Sequence, residues 1–256
     1  MCLIAFAWRP GHAVPLVLAA NRDEFYARPA LPLAAWEESP SLYAGRDLEA
    51  GGTWLGIAPG GRFAALTNIR DPRQPPRGRS RGELPVQYLR GDLSPEAFVA
   101  DVAERANDYS VFNLILGDDR ELWHFNSRTG SARCLPAGLY GLSNADLDTP
   151  WPKVQQAKAV LHHCLGEPRP EALLNLLHDA EQADDAILPD TGIGLNTERL
   201  LSSIFIATAN YGTRASTALI MQADGVRHIV ERSYGPHGGH LGEVSLRVDA
   251  QGRTLV

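Results

Sequence analysis

An α+β or layered α/β domain with mainly antiparallel sheets is predicted by three features of the sequence. Short apolar runs arranged as hairpins occupy both ends of the chain, helical patterns fall in blocks between them, and no concentrated Pro/Gly linker divides the 256 residues. One domain spanning 1–256 is expected, with enough chain to bury a substantial core.

Taken in order, Cys2 and the run Leu3-Ile4-Ala5-Phe6-Ala7-Trp8 read as a buried strand that begins at once, with no leader. Val14 to Ala20 is a second apolar run across Pro10-Gly11-His12, so the two form a hairpin that ends in Asn21-Arg22-Asp23-Glu24. A Pro-rich stretch to about Ser41 reads as irregular. Gly51 to Ile57 and Arg62 to Asn68 form another hairpin across Ala58-Pro59-Gly60-Gly61. Helices are expected around Leu84 to Leu89 and from Ser94 to Arg105; the second has Ser94 as N-cap, Pro95 at its first position and Phe98, Val99 and Val102 on one face. Strands resume at Phe112 to Gly117, Glu121 to Phe125 and Leu139 to Asn144, followed by helices at about Lys153 to Cys164 and Glu171 to Ala180. After a polar Gly/Pro loop, strands close the chain at Ile204 to Ala207, Thr217 to Met221, Val226 to Arg232 and Ser245 to Val248.

An apolar fraction of 44% and a charged fraction of 21% argue against disorder and against fibrous or repeat classes. A net charge of −6 gives no field that would attract polyanions, so nucleic acid is excluded as a partner at chain level. The exception is Arg70 to Arg81, five arginines in a Pro/Gly-rich stretch, expected to be a solvated loop. Three cysteines, Cys2, Cys134 and Cys164, without C-x-x-C spacing, point to reduced thiols, no metal site and a cytoplasmic location. No run approaches the ~18 apolar residues of a membrane helix, and the apolar start lacks the basic flank and cleavage site of a signal peptide. Gly51-Gly52 precedes a strand rather than a helix, which argues against a nucleotide cofactor.

Cys2 carries the chemistry. Once Met1 is removed, its thiol and a free α-amine share one residue, and an amine with a pKa near 7.7–8.0 can take the thiol proton as sulfur attacks a carbonyl. The plainer reading is a small buried side chain opening a strand. Partners stand at strand ends: Asp23 closes the strand antiparallel to that of Cys2, and Asn68 and Asn144 carry amide donors suited to an oxyanion, although Asn also ends strands simply by making turns.

The order Met1-Cys2, Ala20-Asn21-Arg22-Asp23-Glu24, Gly52-Thr53-Trp54-Leu55-Gly56, Thr67-Asn68, Gly141-Leu142-Ser143-Asn144 and Tyr211-Gly212-Thr213-Arg214 resembles the NRDE family, the family of transport and Golgi organisation protein 2. That family is in turn similar to cysteine-type N-terminal nucleophile hydrolases such as bile salt hydrolase and penicillin V acylase, which implies a four-layer αββα sandwich. The resemblance implies Cys2 as nucleophile, Asp23 as ligand of its amine, and Asn68 and Asn144 as shapers of the oxyanion and substrate site. It also implies Arg214 as a cation that steadies Asp23 and lowers the Cys2 thiol pKa. Asn21, Arg22, Trp54 and Trp151 are candidate substrate-binding residues. One departure stands out: those acylases place an arginine three residues before the aspartate, where this chain has Ala20, and Arg22 points to the opposite face from Asp23 by strand alternation.

Two functions follow as expectations. In one, Cys2 cleaves an amide or thioester of a small acylated molecule. In the other, the same cleft carries haem or a fatty-acyl ligand without chemistry, in keeping with the family's link to haem trafficking and lipid homeostasis. Candidate haem ligands are His237 and His240, in a Gly-rich loop, whereas His162, His163 and Cys164 read as helix surface and core.

Overall fold

The computed structural model describes residues 2–74 and 78–255. Removal of Met1, and the part of the arginine loop at Pro75, Pro76 and Arg77, therefore lie outside the described residues.

Two antiparallel sheets face each other. The first has the order β10-β1-β2-β11-β12-β13, from β1 (Cys2–Trp8), β2 (Leu16–Phe25), β10 (Gly138–Leu142), β11 (Tyr211–Met221), β12 (Arg227–Tyr234) and β13 (His240–Val248). The second runs β3 (Ala30–Trp36), β4 (Ser39–Asp47), β5 (Leu55–Ile57), β6 (Phe63–Asn68), β7 (Phe112–Gly117), β8 (Leu122–Asn126) and β9 (Ser131–Cys134) in chain order. Helices α1 (Glu83–Arg90) and α2 (Pro95–Arg105) cover the outer face of the second sheet, and α3 (Pro152–Cys164) and α4 (Pro170–Leu176) that of the first. The layers are αββα, as the resemblance implies.

Strand alternation explains the layering. Along the β1–β2 ladder, which pairs Trp8 with Leu16 and Cys2 with Arg22, the even-numbered Ile4, Phe6, Trp8, Leu16 and Leu18 pack between the sheets with Ile57, Phe63 and Ile115. The odd-numbered Leu3, Ala5, Val17 and Ala19 pack under α3 against Val154, Ala157 and Leu161. Both faces are covered, so β1 reads as a continuous apolar run.

Three expectations are corrected. The Pro-rich stretch before Ser41 forms most of the β3–β4 hairpin: β3 is an edge strand, and Pro32 sits where its register shifts between Leu31 and Ala34, a place where a missing N–H is tolerated. Ile204 to Ala207 is not a strand apart from a single bridge of Ala207 to Gly212, because its backbone is held by other groups: Asn21 Nδ2 donates to the Ile204 carbonyl at 2.8 Å and Phe205 N–H donates to the Asp179 carbonyl at 2.6 Å. The loop before it contains a helix, α5 (Leu195–Ser202), which the sequence reading leaves unassigned.

Candidate active site around Cys2

The inner face of the first sheet turns polar at its end. Following Ile4 and Ala20 in the ladder come Cys2 and its partner Arg22, both on the inner face and both lining a cleft of about 430 Å³. Trp54 just before β5, Leu66 and Asn68 of β6, and Arg79 and Arg81 from the loop before α1 also line it. Two glycines permit this closure. A side chain at Gly45 would collide with the Trp54 indole, and one at Gly52 with the backbone of Gly82, beside Arg81. The arginine stretch is thus only partly a solvated loop: Arg79 and Arg81 face the cleft, and buried Arg70 pairs with Glu198 at 2.5 Å.

Arg22 supplies the cation of this face. Its guanidinium lies 4.3 Å from the Trp54 ring centroid and 3.1 Å from Asp47, which also holds Arg28 at 2.6 Å. Strand alternation does set it on the opposite face from Asp23, and that face is the one the Cys2 thiol occupies. Burial pushes the Cys2 thiol up, more than nearby Arg22 and a hydrogen bond from the Asp23 backbone draw it down, so the expected lowering does not hold. A sulfur kept protonated at rest needs a base at the moment of attack.

Asp23 turns to the helix side. It is 1% exposed, and its Oδ1 accepts from Thr213 Oγ1 at 2.8 Å. Burial pushes its carboxyl up, while Lys153 and the Thr213 hydroxyl draw it down. The sequence motifs single out neither Thr213 nor Lys153. Thr213 stood in the quoted Tyr211-Gly212-Thr213-Arg214 motif, but a register shift between Thr213 and Ala215 sets Thr213 opposite Asp23 and leaves Arg214 out of the ladder. Arg214 donates to the backbone carbonyls of Phe25 and Arg28. Lys153 lies in the buried helical stripe Lys153-Ala157-Leu161.

The asparagines come from the two sheets, Asn144 just after β10 and Asn68 at the end of β6. The Cys2 backbone nitrogen donates to Asn144 Oδ1 at 3.4 Å, and Asn144 Nδ2 donates to the Asn68 carbonyl at 2.7 Å. Ser143 Oγ donates to the Cys2 carbonyl at 2.9 Å. Asn144 therefore spends its amide fixing Cys2 and Asn68 rather than facing a substrate. Asn68 lines the cleft itself.

Other expected site residues lie elsewhere. Asn21 is buried under the helices, donating to the carbonyls of Leu177 and Ile204 at 2.9 and 2.8 Å and accepting from Ser216 Oγ at 2.6 Å; it anchors a loop. Trp151 caps α3 and stacks with Arg70 at 4.8 Å, away from the cleft lining. His237, with φ 56°, and His240 do not line the cleft, and no group of three or more His, Cys, Asp or Glu poised to hold a metal occurs among the described residues. A second cleft of about 310 Å³, between β3 and β13, shares Arg22 and Trp54 as a wall with the first and has buried Glu231 in its lining.

Curated relatives include the transport and Golgi organization protein 2 homologs of Bos taurus, 37% identical over 91% of this chain and 93% of that one, and of Homo sapiens, 34% identical with the same coverage. Among solved structures, a Caenorhabditis elegans ortholog of N-acylethanolamine-hydrolyzing acid amidase matches at 13% identity and a TM-score of 0.40, over 87% of this chain and 93% of that chain. The C2A mutant of a conjugated bile acid hydrolase from Clostridium perfringens matches at 8% identity and a TM-score of 0.46, over 99% and 96%. The family model described as transport and Golgi organisation 2 matches residues 1–236, and the chain belongs to that family.

Proposed function

We propose that this protein acts as an N-terminal nucleophile hydrolase, using Cys2 to cleave an amide or thioester bond of a small acylated molecule. The observation that carries the reading is the placement of one residue's two reactive ends: the Cys2 thiol lines the cleft while its backbone nitrogen, the α-amine once Met1 is lost, is already a donor to Asn144 Oδ1. An amine that donates there keeps its lone pair for the thiol proton.

The chemistry follows in balanced steps. Sulfur attacks the carbonyl carbon, the thiol proton passes to the amine, and the carbonyl electrons form an oxyanion that, in this reading, the Asn68 amide receives. The resulting ammonium gives its proton to the leaving nitrogen or sulfur as the C–N or C–S bond breaks, leaving a thioester on Cys2. Water then attacks that thioester, again losing a proton to the amine; the carboxylic acid departs and the thiol is restored. Asp23 orients the amine from beneath. The Arg28, Arg79 and Arg81 side chains at the cleft suit a substrate with an anionic group beyond its acyl part.

The test is a burst experiment with p-nitrophenyl acetate on Met1-free protein, followed by intact mass. One acetyl group on Cys2, absent from Cys2→Ala, is expected. Acetylation spread equally over Cys2, Cys134 and Cys164 overturns the reading.

A further inference from the structure

Among the described residues, four arginines line the Cys2 cleft, and three of them are held by the protein's own carboxylates. Arg22 lies 3.1 Å from Asp47, Arg28 pairs with Asp47 at 2.6 Å and with Glu49 at 2.9 Å, and Arg79 pairs with Glu83 at 2.5 Å. Arg81 is different. Its Nη1 donates to the Val111 carbonyl at 3.4 Å, and no Asp or Glu among the described residues pairs with it. The backbone on either side is fixed: Leu84 N–H donates to the Arg81 carbonyl at 3.1 Å where α1 begins, and Thr53 N–H donates to the carbonyl of the next residue, Gly82, at 3.0 Å. Arg81 is half-buried, so burial works against its charge, while Glu24 and an ionised Cys2 favour it. A guanidinium that gives up water without gaining a carboxylate is suited to an anion that the protein does not itself supply.

We infer that Arg81 is the specificity-determining residue of this cleft and binds a carboxylate on the leaving part of the substrate, which is then an acylated thiol or amine bearing one negative charge. The inference rests on the hydrolase reading of Cys2 and deepens it. Cys2 also lines a recess of about 10 Å³ with Ile4, Ala20, Leu55 and Leu66, which suits the apolar end of a short acyl group and leaves the arginine side of the cleft to the other half of the substrate. One unpaired cation matches one negative charge. Glu24, Asp47 and Glu49 share the cleft lining, so a doubly charged phosphate would meet more repulsion there than a carboxylate does. The planar guanidinium also presents parallel donors that match the two oxygens of a carboxylate.

The test is the rate of Cys2 acetylation, read by intact mass on Met1-free protein, with S-phenyl thioacetate and with its 4-carboxylate analogue. Wild type, Arg81→Gln and Arg81→Lys are compared, each pair of rates being divided by that of free cysteine to remove the intrinsic reactivity of the probes. Wild type is expected to favour the carboxylate probe by roughly 10- to 100-fold, Arg81→Gln to lose that preference and Arg81→Lys to keep part of it. No preference in wild type, or a preference that survives in Arg81→Gln, overturns the inference while leaving the hydrolase reading intact. Acetylation of Cys2 by neither probe removes both. If Arg81→Gln does not fold, the Nε–Hε resonance of Arg81 in ¹⁵N-labelled wild type decides, titrated with benzoate and with phenyl phosphate. Saturable movement with benzoate supports the inference; no movement, or tighter binding of phenyl phosphate, overturns it.

Discussion

Cys2 and Arg22 stand directly opposite each other in the β1–β2 ladder, on the face of the sheet from which Asp23 is turned away. The end of one hairpin thereby serves two compartments. Cys2 and its neighbour Arg22 line an open cleft between the sheets, while Asp23, Thr213 and Lys153 are buried.

Arg22 should act as a shaped wall as well as a charge. It is stacked on Trp54 and tied to Asp47, a pairing of a planar cation with an aromatic face that a lysine ammonium does not reproduce. Arg22→Ala is expected to slow acetylation of Cys2 about 10- to 100-fold, and Arg22→Lys to restore little of it. Burst rates of the two variants check this; full rescue by lysine would show that charge alone matters.

Asn21, by contrast, should matter to stability and not to chemistry. Truncation to alanine leaves the buried carbonyls of Leu177 and Ile204 without their donor and Ser216 without its acceptor. Asn21→Ala is expected to lose about 2–4 kcal/mol in denaturant unfolding, with the burst of the remaining folded protein unchanged.

Glu231 gives the fold a pH dependence of definite sign. It is buried between the sheets, its Oε1 accepting from Leu33 N–H at 2.7 Å, and burial raises its carboxyl from 4.5 to about 7. The folded protein therefore holds a proton there that the unfolded chain has released, and stability falls as pH rises from about 4.5 to about 7. Glu231→Gln, which keeps an acceptor for Leu33, should remove that slope and be more stable at pH 8 by on the order of 2–3 kcal/mol. Urea midpoints of both proteins between pH 4 and 8 provide the comparison. Parallel curves would mean that Glu231 titrates alike in both states.

How far the sequence leads depends on the distance between cause and effect. The β1–β2 hairpin is legible because both faces of its strands are apolar, and Cys2, Asp23, Asn68 and Asn144 are legible as polar residues at the ends of such runs. Thr213 is not legible as the partner of Asp23, because a one-residue bulge in β11 decides which side chain meets Asp23 and no local pattern announces that bulge. Asn21 and Asp23 share a face, but α4 and the Ile204 segment cover the first with waiting carbonyls, a contact made by residues far along the chain. Lys153 is hidden by its type: a lysine beside an apolar helical stripe reads as a solvated residue, whereas it is buried.

Asn144 allows the amine's role to be tested without touching the thiol. Its Oδ1 accepts from the Cys2 nitrogen and its Nδ2 holds the Asn68 carbonyl, so Asn144→Asp keeps the first contact, loses the second and adds a negative charge. A carboxylate beside the α-amine favours the ammonium form, which raises the pH at which the amine can accept the thiol proton. The rising limb of the burst should therefore move upward by about a unit, with the rate at high pH reduced further by loss of the Asn68 tether. Asn144→Ala removes the tether without adding charge and should lower the rate with little shift of the limb. Equal shifts in the two variants would place the base somewhere other than the Cys2 amine.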